Sequence, residues 1–358
     1  MMEKPKPKDG INSKMVQTKR LEMHVLFSGK EEDDAVIFLH GNFSAAQFWQ
    51  DLLLTLPDGF RGIAPDLRGY GWTEDKLTDA THGLRDWSED ILGLMDILDI
   101  TEAHFVGWSL GAAPIYRILI DHPEKVKSMT FVAPVSPYGF GGTKGEDGIP
   151  VYEDFAGCGG GLVNPEFIRR IQEGDRSADD PNSPRNIINT FYYVPPFRAA
   201  DEEDLLTACL QEKIGNDKYP GDSVPSTNWP FLGPGKWGLL NGGSGKFMIE
   251  DVPDFIEVEP KAPILWIRGD KDQIVSDFSI FDVPTLGKLG FVPGYPGEDV
   301  FPSQPMILQT RAVFEKYKDA GGEYQEFVIE NTAHSPHIEK PEEFNEIFHK
   351  FLLKEKNN

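Results

Sequence analysis

Cysteine is nearly absent from this 358-residue chain: only Cys158 and Cys209 occur. Two cysteines in a chain of this length exclude a disulfide framework. Cys209 falls on the apolar face of an expected helix, where its role is packing. Long apolar runs are missing too. No stretch approaches the ~20 apolar residues that cross a bilayer, and residues 1–20 hold no apolar segment of a secretory signal, so a cytoplasmic location is expected. Positive charge is scarce: 35 Lys and Arg against 58 Asp and Glu leave a formal net charge of −23. Such acidity argues against nucleic acid and anionic membranes as partners. No glycine-rich loop of the P-loop or dinucleotide type is present. The run Asp201-Glu202-Glu203-Asp204 has no histidine interleaved with it, so it reads as a helix start and not a metal site. No cofactor and no metal is expected. Bases concentrate at the start, six against two acids in residues 1–20, and this Lys- and Pro-rich segment is expected to be a flexible arm.

What is present suffices for a large core, since 39% of the residues are hydrophobic. The most informative stretch is Ala103-His104-Phe105-Val106-Gly107-Trp108-Ser109-Leu110-Gly111-Ala112. It reads G-x-S-x-G, with an apolar run before it that suits a buried strand and a helical pattern after it. Ala112, Ile115, Tyr116 and Leu119 recur at helical spacing, and Pro114 is tolerable because it falls near the helix start. A serine on so tight a strand-to-helix turn is held in strained geometry with its hydroxyl exposed. Without side chains at Gly107 and Gly111, the helix can cross close behind the strand. A serine that only caps its helix is the plainer reading of the same residues.

Strand and helix alternate on either side. Leu21 to Phe27 suits a first strand, and Ala35 to Leu39 is a continuous apolar run ending in His40-Gly41-Asn42-Phe43. Gly62 to Asp66 runs into Leu67-Arg68-Gly69-Tyr70-Gly71, Leu84 to Leu98 is an amphipathic helix, and Val126 to Val135 is another strand. This pattern implies an α/β architecture: a mostly parallel, doubly wound sheet with helices on both faces. It breaks over 138–258, which carry about two acids per base, many glycines and prolines and no buried strand. Helices are signalled at Asn164-Pro165-Glu166, at Ser183-Pro184 and over Asp201 to Ile214. Residues 138–258 are therefore read as an inserted helical cap, whose aromatics Phe191, Tyr192, Tyr193, Phe197, Trp229, Phe231 and Trp237 mostly form its own small core. Ala262 to Gly269 returns to the sheet, followed by Asp270-Lys271-Asp272. Residues 277–305 are rich in Gly and Pro and form a surface excursion near the site. Pro305 to Asp319 is a helix, Glu323 to Ile329 the last strand with His334 beyond it, and Pro341 to Leu353 a closing helix. The expected division is a tail (1–20), a first core segment (21–137), the cap (138–258) and a second core segment (259–358).

A serine hydroxyl is a poor nucleophile at neutral pH; it needs a base within reach, and the base needs an orienting partner. Three turns that follow strands of the expected sheet offer Ser109, Asp272 and His334, and in such a sheet these turns share one edge. Asp270 competes with Asp272 for the acid, and His337 is a second candidate base. His82, His104 and His122 read as surface or packing residues.

The order Ser, acid, His, together with His40-Gly41-Asn42-Phe43, Asp66-Leu67-Arg68-Gly69-Tyr70-Gly71, Gly107-Trp108-Ser109-Leu110-Gly111, Gly269-Asp270-Lys271-Asp272 and His334 with Pro341-Glu342-Glu343-Phe344, resembles the α/β-hydrolase fold superfamily. The likeness is to its capped branch of epoxide hydrolases, haloalkane dehalogenases, cofactor-free haloperoxidases and esterases. The resemblance implies that Ser109 is the nucleophile, His334 the general base and Asp272, the second aspartate of Gly-Asp-x-Asp, the orienting acid. It implies that the backbone N–H groups of Asn42 and Leu110 form the oxyanion hole and that His40 braces its loop. Epoxide hydrolases and haloalkane dehalogenases of this branch carry an aspartate at the elbow, so Ser109 argues against both activities. The expected function is hydrolysis of a carboxylic ester or lactone through an acyl-enzyme. The same triad also serves C–C bond, amide and thioester hydrolysis and perhydrolysis, and a ligand receptor on this fold is the alternative of another class. Phe43 and Trp108 flank the nucleophile and are expected to meet a small, apolar substrate.

Overall fold

The apolar runs of the sequence become the interior strands of one sheet in a computed structural model, which describes residues 4–356. Its eight strands are β1 (Asn12–Gln17), β2 (Glu22–Ser28), β3 (Asp34–Leu39), β4 (Phe60–Pro65), β5 (Ala103–Trp108), β6 (Val126–Val132), β7 (Ile264–Gly269) and β8 (Tyr324–Ile329). They lie in the order β1-β2-β4-β3-β5-β6-β7-β8. From β4 to β8 every pairing is parallel, and β1 and β2 join antiparallel at one edge. β3 and β5 are buried along nearly their whole length because helices cover both faces. On one face Ala112–Asp121 packs against Arg85–Ile97 and Val252–Glu257, and Met306–Asp319 follows. On the other, Pro341–Lys356 meets Gln50–Thr55 and the centre of the sheet. Phe131 stacks on Phe314 of the first layer, and Phe38 meets Phe348 of the second.

Register decides where the chemistry falls. Leu39 pairs with Gly107, Trp108 with Val132, and Gly269 with Ile329. The turns after β3, β5, β7 and β8 therefore open at one edge, and they carry Asn42, Ser109, Asp272 and His334.

Two expectations need correcting. The flexible arm over 1–20 gives way to an ordered edge from Asn12 on, where β1 pairs with β2 over six residues. Its bases find the acids of the body: Arg20 binds Asp86 and Asp90, and Lys8 binds Asp51 and Asp201. Residues 1–3 lie outside the described residues. Second, Val252–Glu257 belongs to the helical layer of the core although the sequence groups it with the insertion. Phe255 sits 5.2 Å from Tyr116 and 5.1 Å from Tyr317, ring centre to ring centre.

Between β6 and β7 the insertion carries the helices Pro165–Glu173, Pro184–Ile187 and Glu202–Cys209. The Asn164 side chain accepts from the Glu166 N–H, and that of Ser183 from the Asn186 N–H, so the cap and proline signals fall where the sequence has them. Three short two-stranded ladders, absent from the expected helical cap, complete it. The helix expected to reach Ile214 stops at Cys209, because the Lys213 N–H turns away to the Gly69 carbonyl at 2.9 Å. The 277–305 excursion docks on the insertion: Trp229, Val283 and Phe301 form a small second core, and the Trp229 indole donates to Pro293 O at 2.8 Å. No helix among the described residues is long and apolar enough to cross a membrane.

Candidate active site

Ser109 has a φ of 55°, a backbone conformation that strains any residue with a Cβ by about 1–3 kcal/mol. Close packing enforces it. A Cβ on Gly107 would lie 2.6 Å from Ile115 Cδ1 and 2.8 Å from the Gly111 carbonyl oxygen. A Cβ on Gly111 would lie 2.4 Å from the Leu39 carbonyl oxygen. Only glycine permits β3, β5 and the following helix to meet here, and the price of that meeting is the strained serine between them. The Val135 N–H fastens Ser109 O from the next strand's turn at 3.0 Å.

The histidine after β8 is held by the second aspartate after β7. His334 Nδ1 lies 2.8 Å from Asp272 Oδ2, and the two side chains are only 2% and 4% exposed. Asp272 Oδ1 accepts from the N–H groups of Ile274 (2.8 Å) and Val275 (3.1 Å), so the carboxylate is fixed on its far side. As an acceptor it selects the tautomer with the proton on Nδ1, which leaves Nε2 free to take a proton. Asp270 does not reach the histidine. Its oxygens take the Asn331 N–H and the Lys271 ammonium, both at 2.5 Å, and it braces the turn instead. His337 is buried on the Trp49 and Trp108 rings, and among the described residues neither ring nitrogen has a hydrogen-bond partner. Burial, and then the charge of His334, push its pKa down to about 3.

The loop after β3 carries Asn42 and Phe43. His40, wholly buried, spans it: Nδ1 donates to Gly41 O at 2.9 Å while Nε2 accepts from the Leu67 N–H at 2.9 Å. A Cβ on Gly41 would lie 2.7 Å from Ser109 Cβ, so this loop lies directly against the serine. Among the described residues no acceptor takes the Asn42 N–H. Leu110, the other expected donor, follows Ser109 in the same turn, and its side chain abuts Gly243 of the insertion.

Trp108 and Phe43 are not placed as the sequence reading expects. The Trp108 ring is fully buried between Phe48, Trp49, Tyr192 and His334, and its indole N–H donates to the His334 carbonyl at 2.8 Å. It holds the His334 backbone and packs against its ring. Phe43 is 2% exposed and meets Phe167 of the insertion edge-to-face at 4.9 Å. Both side chains are drawn inward because the insertion supplies apolar partners that no local spacing reveals.

The sequence reading also missed the residue that ties the site together. Tyr192, one of seven insertion aromatics singled out, sends its hydroxyl to the carbonyl oxygens of Asn42 (2.8 Å) and Phe43 (3.0 Å). Its own carbonyl accepts from the Ser335 N–H at 3.0 Å, and its ring lies 5.8 Å from that of His334. Glu339 adds a second tie, accepting from Val194 N and Ala333 N at 2.6 Å each. Nothing in the spacing of Phe191-Tyr192-Tyr193 distinguishes the middle one. Tyr192→Phe removes only the bond to the loop, and a net hydrogen bond is worth ~1 kcal/mol. Turnover is expected to fall about fivefold in kcat with little change in KM; an unchanged kcat would show that the loop holds its shape unaided.

Burial also sets the acid stability. It pushes His40 and His104 down to about 4, with Lys127 adding to the effect at His104. With His337, three histidines are neutral in the fold but protonate near 6.5 in the unfolded chain. The unfolded state then binds more protons between pH 6.5 and about 4, so stability is complete above that window and is lost as pH falls through it, by up to about 3 kcal/mol per histidine. Thermal midpoints measured from pH 7 to 4.5 should drop steadily; a flat profile would contradict the buried neutral rings.

Comparison with known proteins agrees with this fold. A family model for the alpha/beta hydrolase fold matches residues 34–155, which include Asn42 and Ser109 but neither Asp272 nor His334. The chain is similar to epoxide hydrolase 2 of Siraitia grosvenorii, 33% identical over 120 residues, 33% of this chain and 37% of that protein. It is similar to an uncharacterized carboxylesterase of Bacillus subtilis (strain 168), 24% identical over 190 residues, 50% of this chain and 62% of that protein. The chain thus matches less than two thirds of either relative's own length. In fold it is similar to the solved structure of a Bacillus subtilis carboxylesterase, with a TM-score of 0.58 over 96% of this chain and 91% of that one, at 15% identity.

Proposed function

This chain belongs to the α/β-hydrolase fold superfamily, and from that premise we propose that it is a serine hydrolase cleaving a carboxylic ester or lactone through an acyl-enzyme. The observation that carries the reading is the buried His334–Asp272 pair at 2.8 Å, at the same sheet edge as the strained Ser109. Ser109 Oγ attacks the ester carbonyl carbon while its proton passes to His334 Nε2. The oxyanion formed is held by the N–H groups of Asn42 and Leu110; one such donor is typically worth 10²–10³ in rate. The carbon–oxygen bond to the leaving group then breaks, and His334 returns its proton to the departing alkoxide. Water repeats the sequence, giving up a proton to His334 and releasing the acid and Ser109. Asp272 stays ionised and holds the imidazolium. The route needs no metal or cofactor, and the substrate is a small molecule. The insertion up to Asp251 acts as the lid that excludes water and selects its shape.

A relative called an epoxide hydrolase does not carry that activity here, because an epoxide-opening elbow uses a carboxylate and this one holds a serine. A fluorophosphonate should add once, at Ser109, and p-nitrophenyl esters of graded chain length should turn over repeatedly. A single slow turnover would instead favour a ligand receptor on the same fold. Hydrolysis of amides, thioesters or C–C bonds in preference to every ester offered would move the bond assignment and leave the triad in place.

A further inference from the structure

A buried carboxyl beside the oxyanion loop has no role in the mechanism above. Glu212 is 6% exposed, and among the described residues neither of its oxygens has a hydrogen bond of good geometry, though the Tyr70 hydroxyl lies beside them. Its place is set by the chain on both sides. Cys209 Sγ bonds to Phe43 O at 3.1 Å, and the Lys213 N–H to Gly69 O at 2.9 Å, so this segment lies across the loop after β3 and the turn after β4. The Tyr70 hydroxyl lies against the carboxyl but gives its one proton to Asn42 Oδ1 at 2.8 Å. Tyr219 faces the same carboxyl and Asn42. The adjacent cation is no partner, because Lys213 Nζ is engaged by Gly71 O and Gln211 O at 2.9 and 3.0 Å. Burial holds Glu212 well above the usual carboxylate range, and Tyr70 and Tyr219 well above the usual phenol range, so it favours the uncharged form of all three.

We propose that Glu212 is a specificity residue: with Tyr70 and Tyr219 it forms a subsite for a neutral hydroxyl or carbonyl oxygen on the acyl chain, a few bonds from the carbonyl that Ser109 attacks. The proposal rests on the serine-hydrolase reading. An unpartnered buried acid destabilises a fold, so its presence beside the reacting centre is explained if substrate supplies the missing partner. An uncharged carboxyl can donate and accept, and the phenol oxygens beside it can accept; together they match a hydroxyl, whereas a carboxylate would meet no free cation there.

The test compares p-nitrophenyl 3-hydroxybutyrate with p-nitrophenyl butyrate. The intact protein should favour the hydroxylated ester by about fivefold in kcat/KM, the worth of one net hydrogen bond. Glu212→Leu should bring the ratio close to one and raise the thermal midpoint, since it removes an unsatisfied acid. Glu212→Gln, which keeps the shape, should lower the ratio part way. An intact protein without the preference, or variants that keep the ratio whatever their midpoint, overturns the proposal and leaves the acid to be satisfied by water. Fluorophosphonate labelling of the intact protein separates the two failures: labelling with an unmoved ratio sinks only the subsite, and no labelling sinks the catalytic reading beneath it.

Discussion

Ser109→Ala should abolish fluorophosphonate labelling and lower ester turnover by about 10⁴–10⁶, the loss seen when the nucleophile of a triad is removed. The fold should survive. The variant keeps the Cβ and the strained φ of 55°, which come from Gly107, Gly111 and the crossing helix and not from the hydroxyl. Circular dichroism and the thermal midpoint should therefore match the parent protein closely, since the change removes one atom and no backbone bond. Full labelling of this variant, read by intact mass, would show that another residue is the nucleophile and that Ser109 merely starts its helix.

Asp272→Asn should lower kcat by about 10⁴ for a reason visible in the turn. Asp272 Oδ1 accepts two backbone N–H groups, those of Ile274 and Val275. An asparagine must keep its carbonyl oxygen there, which directs its NH₂ at His334 Nδ1. That nitrogen then has to accept, the proton moves to Nε2, and the ring can no longer take a proton from Ser109. Asp270→Asn should cost less than about threefold. Its amide oxygen can still take the Asn331 N–H, and the lost partner is a half-exposed Lys271, whose ion pair is worth little in water. Steady-state kinetics on both variants checks the ranking, and the reverse order would give the orienting role to Asp270.

The two aspartates mark where a sequence stops being informative. Both sit after the same strand, two positions apart, and both are the right chemical type. Only a resemblance to a family pattern favoured the second, and the hydrogen bonds of the turn now separate them geometrically. Phe43 and Trp108 show the same limit from the other side. Adjacency to the nucleophile suggested substrate contact, but Phe167 and Tyr192 of the insertion bury both rings.

The sequence by itself determined what a few neighbouring residues decide. Continuous apolar runs mark strands buried on both faces; helical spacing and Asn-Pro or Ser-Pro starts mark the helices; and two glycines flanking Ser109 mark a turn no other residue permits. These signals are local sterics and hydropathy, and they act before the chain closes on itself. Tertiary structure alone decided the rest. Asn12–Gln17 is a sheet edge because β2 offers it hydrogen bonds, not because its own residues, none fully buried, demand a strand. Tyr192 reaches Asn42 across 150 positions, and Trp108 reaches His334 across 226. Glu212 is left without a partner by the way two distant turns receive its neighbours. A hydrogen bond depends on which groups the closed chain brings within about 3 Å, and no pattern read along the chain contains that distance.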